Sequence, residues 1–136
     1  MPCPFFEPTS ISISPEHPGA RVPLIDEYDG CCHAKGESFA VPDALRYRCC
    51  NHGYSRGVCP HFPLADHRSC TRFDLRRVDG KELELLSIDE RDHAPAGWHT
   101  ISYRADEGTL CPEPPDPCER AQLLAFCHSY LRHFRS

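Results

Sequence analysis

Ten cysteines and fourteen prolines share a chain of 136 residues, and together they restrict what it can become. Proline fixes φ and removes a backbone donor, which limits the regular structure available. Cysteine at this density marks either disulfides in an oxidising compartment or metal ligation in a reducing one. The opening residues, Met1-Pro2-Cys3-Pro4-Phe5-Phe6-Glu7-Pro8, have neither the basic start nor the apolar run of a secretory leader. No stretch approaches the roughly 18 apolar residues of a membrane span. The expectation is a soluble cytoplasmic protein without a membrane role, whose thiols stay reduced and in part bind metal.

Leu, Ile, Val and Phe supply only about one residue in five, near the level at which chains fail to fold unaided. A core this lean calls for a metal or crosslinks. The formal net charge of −5 argues against a nucleic-acid partner and leaves an acidic electron-transfer or partner-binding surface open. The one basic cluster is Arg72, Arg76 and Arg77, with Lys81 nearby. It alternates with Phe73 and Leu75 and reads as the wet face of a strand.

The expected organisation is a single α+β domain over residues 1–136, with a Cys-rich metal-binding half (1–70) and a strand-and-helix half (71–136). Residues 1–30 hold six prolines and read as an extended arm wrapping the domain. Phe5, Phe6, Ile11, Ile13, Val22, Leu24 and Ile25 give that arm something to bury. Asp43 is placed to N-cap a short helix ending near Asn51 and Gly53, and 55–70 reads as irregular loop. Thr71–Val78 reads as a strand, Asp79-Gly80 as a type I′ hairpin turn, and Lys81–Ile88 as the returning strand, with a bulge at Leu85-Leu86. A loop with Pro95 and Gly97 leads to a third strand, Trp98–Arg104. After a Pro-rich connection over 105–115, Asp116-Pro117-Cys118-Glu119 opens a helix with Asp at the N-cap and Pro at the first helical position. Leu123, Leu124, Cys127, Tyr130, Leu131 and Phe134 form its apolar stripe, predicted to cover one face of a three-stranded meander. The N-terminal half is expected to be loop-dominated and organised by a metal centre.

Two local cues mark candidate ligands. Cys-Pro occurs at Cys3-Pro4, Cys59-Pro60 and Cys111-Pro112, where proline stiffens the backbone beside a sulfur. Cys50 lies at a helix end and Cys59 follows Gly57, places where backbone amides can approach sulfur. The segments Cys3-Pro4-Phe5-Phe6-Glu7-Pro8, Tyr28-Asp29-Gly30-Cys31-Cys32-His33-Ala34 and Cys50-Asn51-His52-Gly53-Tyr54 through Cys59-Pro60-His61-Phe62-Pro63 resemble those of a family of small Cys-rich bacterial proteins of unknown function. The resemblance covers roughly the first half of the chain and supplies a motif without an activity.

Residue by residue, the resemblance selects Cys3, Cys32, Cys50 and Cys59 as the metal- and cofactor-binding set. Four thiolates match a [4Fe–4S] cluster or a tetrahedral zinc site, and their spacing fits neither a compact ferredoxin run nor a paired C-x-x-C ribbon. Cys31 and Cys49 precede proposed ligands and read as packed thiols, though either could replace its neighbour. Cys70 is the reserve ligand, Cys127 reads as core, and Cys111 and Cys118 as free thiols. His33, His52, His61 and His67 lie near cysteines in sequence and keep a mixed Cys/His zinc site open, with His52 or His61 replacing a thiolate. His93 and His99 receive no role. Asp89, Glu90 and Asp92 read as a solvated loop.

Phosphate-loop, nucleophile-elbow and H-E-x-x-H signatures are absent, and no catalytic residue is assigned. The leading expectation is a small [4Fe–4S] protein for electron transfer or redox sensing with a protein partner. The alternative is a zinc-stabilised structural or interaction module using the same cysteines. A thiol-redox protein and a metal-dependent enzyme remain behind these.

Overall fold

The computed structural model describes residues 2–12, 23–35, 37–53, 58–63, 68–92 and 94–134. Two antiparallel sheets pack on one long helix. The first sheet has the order β1-β2-β3, from β1 (Phe6–Ile11), β2 (Tyr28–Cys32) and β3 (Phe39–Ala40). A short helix α1 (Asp43–Leu45) runs directly into a π-helical turn (Arg46–Asn51). The second sheet is a meander of β4 (Arg68–Asp79), β5 (Glu82–Arg91), β6 (Ala94–Arg104) and β7 (Thr109–Cys111), followed by α2 (Pro117–Phe134). The architecture is mixed α+β. No described helix is long and apolar enough to cross a membrane.

The N-terminal half carries more regular structure than expected. The Pro-rich arm enters a sheet because β1 is an edge strand, where Pro8 does least harm to the ladder. Gly30 lets β1 and β2 approach. A Cβ there would collide with the Glu7 carbonyl oxygen and stand 2.8 Å from the Phe6 ring. Phe6 and Leu24 are buried as expected, whereas Ile11 is exposed, and Ile13 and Val22 lie outside the described residues. Asp43 is the first helical residue and not the cap. Pro42 holds the cap position without a side-chain bond, and Asp43 instead accepts from Arg46 at 2.9 Å.

The meander is longer than its sequence pattern suggests. β4 begins at Arg68, inside the segment read as loop. The first hairpin turns one residue later than expected. Asp79 pairs with Glu82, and Gly80, at φ 61°, takes the first central position while Asp79 has no positive φ, as in a II′ turn. The irregularity expected at Leu85-Leu86 falls on the partner strand, between Leu75 and Arg77. β5 thus keeps Leu83 and Leu85 inward at 0% exposure, and Arg76 is the extra residue. Pro95 and Gly97 lie within β6, beyond the reach of β7, which pairs only with Ser102–Arg104. A register shift opposite, between Asp89 and Glu90, accommodates them. Asp89 and Glu90 are therefore strand residues, and Glu90 is buried. β7 occupies part of the expected 105–115 connection. Arg76 and Arg77 are exposed, as a wet strand face requires.

Helix α2 starts as its sequence indicates: the Cys118 amide donates to Asp116 Oδ1 at 2.9 Å. Leu123 and Cys127 are fully buried with Leu83, Leu85, Ile101, Tyr103 and Leu110. Phe134, assigned to the same stripe, is 63% exposed. A second buried stripe was not anticipated: Cys118, Gln122, Ala125 and Ser129. It lies roughly 150° around the helix from Leu123 and Cys127, counting 3.6 residues per turn. It packs on the first sheet, where Ala125 joins Cys3, Phe6, Leu24, Tyr28, Cys50 and Phe62. Tyr28 donates its hydroxyl to the Ala125 carbonyl at 3.0 Å and lies 2.6 Å from Ser129 Oγ. Phe73 and Phe126 touch both cores, with ring centroids 6.2 Å apart.

Candidate metal centre

Four separate segments converge beside the first sheet, three of them joined to one another by backbone bonds. Cys3 donates its amide to the Cys50 carbonyl at 3.0 Å. Its own carbonyl accepts from the Phe6 amide at 3.0 Å and from Gln122 Nε2 at 2.7 Å. Cys32 ends β2, in register with Phe6 on one side and Phe39 on the other. Cys49 and Cys50 sit on the π-helical turn, whose wider coil makes consecutive side chains diverge less than in an α-helix. Cys59 opens a tight turn closed by the Phe62 amide at 3.2 Å, and Phe62 packs edge-on to Phe5 at 5.3 Å.

Two buried polar side chains hold the π turn against β2. Asn51, at 0% exposure, accepts from the Tyr28 amide at 2.9 Å and donates to the Tyr28 and Arg46 carbonyls at 3.0 and 2.8 Å. Arg46 pairs with Glu27 at 2.7 Å, Asp43 at 2.9 Å and Asp29 at 3.3 Å. An unpaired group at such depth would cost about 1–3 kcal/mol, so the turn is tightly specified.

The result is one pocket lined by Cys3, Cys32, Cys49, Cys50 and Cys59. Phe5, Phe6, Ala34, His61 and Phe62 complete its wall. All four cysteines selected from the sequence are thus brought together, and Cys49 joins them. Among the described residues, no three His, Cys, Asp or Glu side chains are gathered round a single point as one ion would hold them.

Electrostatics at the pocket oppose thiolates unless a positive centre is present. Burial pushes the Cys3 thiol up to about 12, against a hydrogen bond from the Phe5 amide, and negative charge on Cys32, Cys59 or Cys49 would push it further. Cys50 is driven up as well, by burial first and then by any negative charge on Cys3, Cys32, Cys59 or Cys49. Cys32 is raised by burial although the Ala34 amide points at its sulfur from 3.5 Å. Cys49 is raised by burial, with Arg48 opposing. Multivalent cations reverse this logic, because a bound cation favours the deprotonated ligand. The donor set is all-thiol, buried at Cys3 and Cys50 and half-buried at Cys32 and Cys59, and approached by two backbone amides, a chemistry that fits a thiophilic metal or iron–sulfur group.

The remaining candidates lie elsewhere. Cys31 faces Glu7 and Ala40 across the sheet and does not line the pocket. Cys127 is in the helix–meander core, as expected. Cys111 is exposed and Cys118 buried, both as free thiols. The side chain of Cys70 falls outside the described positions. His33 lies 2.7 Å from Glu7 Oε1, and His52 packs on Tyr47 at 4.6 Å. His61 alone among the described histidines lines the pocket, and its buried Nδ1 has no partner among the described residues. His67 and His93 lie outside the described residues, and His99 pairs with Glu119 at 2.9 Å.

Cys49 reads from sequence as a packed thiol that could replace its neighbour, and the structure places it in the pocket lining with Cys50. Sequence reasoning missed two residues of consequence. Asn51 and Gln122 were invisible as positioning groups because their partners are backbone atoms far along the chain. The Cys-Asn adjacency at Cys50-Asn51 was the one available hint. Comparisons with known protein families, characterised proteins and solved structures yield no match.

Proposed function

We propose that the chain is a metal-binding protein whose pocket takes a [4Fe–4S] cluster through Cys3, Cys32, Cys50 and Cys59. The observation that carries this reading is the convergence of thiols from four segments on one pocket with an otherwise largely apolar wall. Zinc bonded to sulfur at about 2.3 Å draws its ligands around a point, whereas a cluster has a body that sulfurs must surround. A pocket lined by five thiols supplies the sulfurs such a body needs. Amides from Phe5 and Ala34 directed at Cys3 and Cys32 are the kind of contact that tunes cluster potentials, as is the shielding by Phe5, Phe6 and Phe62.

A bound cluster would supply one-electron chemistry. The chain's own part is to hold the ligand segments, exclude water and set the charge around the sulfurs. Electron transfer or redox sensing with a protein partner is the role we assign. Zinc is the second reading, favoured by the unpartnered Nδ1 of His61 in the wall, which could join three thiolates in a structural site.

Anaerobic reconstitution with ferrous iron and sulfide tests the assignment. The wild-type chain should develop a broad visible band near 400 nm, and Cys50→Ala should not. Uptake of zinc in preference, with no colour, would favour the second reading. An unaltered band in Cys50→Ala would remove the ligand assignment.

A further inference from the structure

The last strand of the meander is too short to cover β6. β6 runs from Ala94 to Arg104, and β7 pairs only with Ser102, Tyr103 and Arg104. β7 stops at Cys111, before Pro112-Glu113-Pro114-Pro115, which adds no strand residue. Two bonds fix the direction of the backbone groups left uncovered. The Ala105 amide donates to the Lys81 carbonyl at 2.8 Å on the β5 side. The Arg104 carbonyl accepts from the Gly108 amide at 2.7 Å on the β7 side. Antiparallel strands alternate these directions residue by residue, and no register shift interrupts β6 between Gly97 and Arg104. Ser102, Thr100 and Trp98 therefore point their N–H and C=O groups away from β5. Ser102 is met by Cys111. Thr100 and Trp98 have no described strand beside them, and both residues are exposed, Trp98 at 70%.

The two edges of this sheet differ. β4, the other edge, carries Arg68, Arg72, Arg76 and Arg77 and a bulge, features that keep edges from pairing. The segment from Ala94 to Ile101 contains no Asp, Glu, Lys or Arg, and only Pro95 and the register shift at its start guard it. We infer that β6 pairs antiparallel with β6 of a second copy, about a two-fold axis at Trp98. The pairing is complementary in charge: Trp98 faces Trp98 and His99 faces Gly97, so no like charges meet. Each β6 is already an ordered strand, which avoids the ordering cost that a flexible peptide would carry. The register also fits the open length. With Trp98 at the centre, residues 95–101 pair with 101–95, and Ser102 stays outside with Cys111. A centre at Thr100 would put Ser102 opposite Trp98 of the copy, where β7 already lies. The contact uses the same edge on both copies and closes on itself, so it gives a dimer and not a fibre. The thiol pocket lies beside the first sheet and takes no part.

Sedimentation equilibrium of the full chain up to about 1 mM, where weak pairs dissociate, tests this. The chain is kept reduced so that the exposed Cys111 cannot crosslink. Trp98, the only tryptophan in the chain, reports the contact directly. Wild type should pass from monomer to dimer with rising concentration, and Trp98 emission should move to shorter wavelength as it does. Thr100→Pro removes an N–H that points away from β5 and should leave the monomer folded, as read by circular dichroism. It should associate at least about tenfold more weakly, because each dimer loses two bonds. If Thr100→Pro does not fold, Trp98→Lys is read in the same way by sedimentation, since it sets like charges opposite each other. A wild-type chain that stays monomeric over the whole range would overturn the inference and leave the edge to a strand of another protein. A dimer that persists unchanged in a folded Thr100→Pro variant would overturn it as well and place the interface elsewhere.

Discussion

Gln122, in the middle of α2, donates its side-chain amide to the carbonyl of Cys3 at 2.7 Å. The same nitrogen lies 2.7 Å from the Phe6 carbonyl, so one buried residue ties the N-terminal arm to the helix. The arm was the weakest part of the ligand set on sequence grounds. Its return to the other cysteines is explained by this bond and by the Cys3–Cys50 backbone pair. Gln122→Leu should remove both donors while filling the space. Two carbonyls would lose a buried donor, at about 1–3 kcal/mol each. A lower Tm is expected, with faster hydrogen exchange at the Phe6 amide. Unchanged stability would mean that the arm is held by its apolar contacts alone.

Asn51 makes an equally specific demand. Asn51→Asp keeps the shape but replaces a donor with a carboxylate facing the Tyr28 and Arg46 carbonyls. Destabilisation of about 3 kcal/mol or more is expected from an uncompensated buried charge. Asn51→Ala should cost less and should still weaken metal loading, because Cys49 and Cys50 precede it on the turn. Denaturant unfolding followed by iron uptake checks both.

Gly30 sets the spacing of β1 and β2. Gly30→Ala brings a Cβ against the Glu7 carbonyl, which is backbone and cannot swing aside. Overpacking of this kind costs about 1–3 kcal/mol, occasionally more. Loss of the N-terminal sheet with the meander retained would appear as a partial fall in circular dichroism. Wild-type stability in Gly30→Ala would contradict the register of β1 against β2.

These elements show what the sequence could and could not convey. The meander, the start of α2 and the burial of Leu123 and Cys127 follow local rules of alternation, capping and helical stripe, and were legible. The second stripe was not, because Gln122, Ala125 and Ser129 are small or polar and read as solvent-facing until their partners are known. β1 was obscured by prolines that only an edge position tolerates. The four cysteines came from motif resemblance. Cys49 was legible only as a possible substitute for Cys50, because the local coil is a π turn, which residue order alone does not announce.

The pH dependence of folding should report the far end of α2. Burial alone would raise the Asp26 carboxyl, but hydrogen bonds from Arg132, His133 and Ser129 outweigh it and hold it below its usual 3.8. Arg132 and His133 approach Asp26 Oδ1 at 2.6 and 2.9 Å. A carboxyl depressed in the fold contributes stability that is present above 3.8 and lost as pH falls through the lower folded value. Asp26→Asn should therefore be less stable than wild type at pH 7, with the gap closing below about pH 3.8. Urea unfolding at both pH values measures it. A gap that is the same at both would mean that Asp26 acts by shape and not by charge.

Cys127 separates core thiols from pocket thiols. It is fully buried among Leu83, Leu85, Ile101 and Leu123, and burial pushes its thiol up to about 12. Cys127→Ser places a hydroxyl in that core and should lower stability by about 1–3 kcal/mol while leaving metal content unchanged. Loss of metal from a folded Cys127→Ser variant would move the site to the helix–meander core.

The most direct test is elemental analysis of the wild-type chain purified without oxygen, together with its visible spectrum. About four irons and four sulfides per chain, with a broad band near 400 nm, are expected for a thiolate-held cluster. A chain that carries neither iron nor zinc, and takes up neither when supplied anaerobically, would contradict a metal centre at Cys3, Cys32, Cys50 and Cys59.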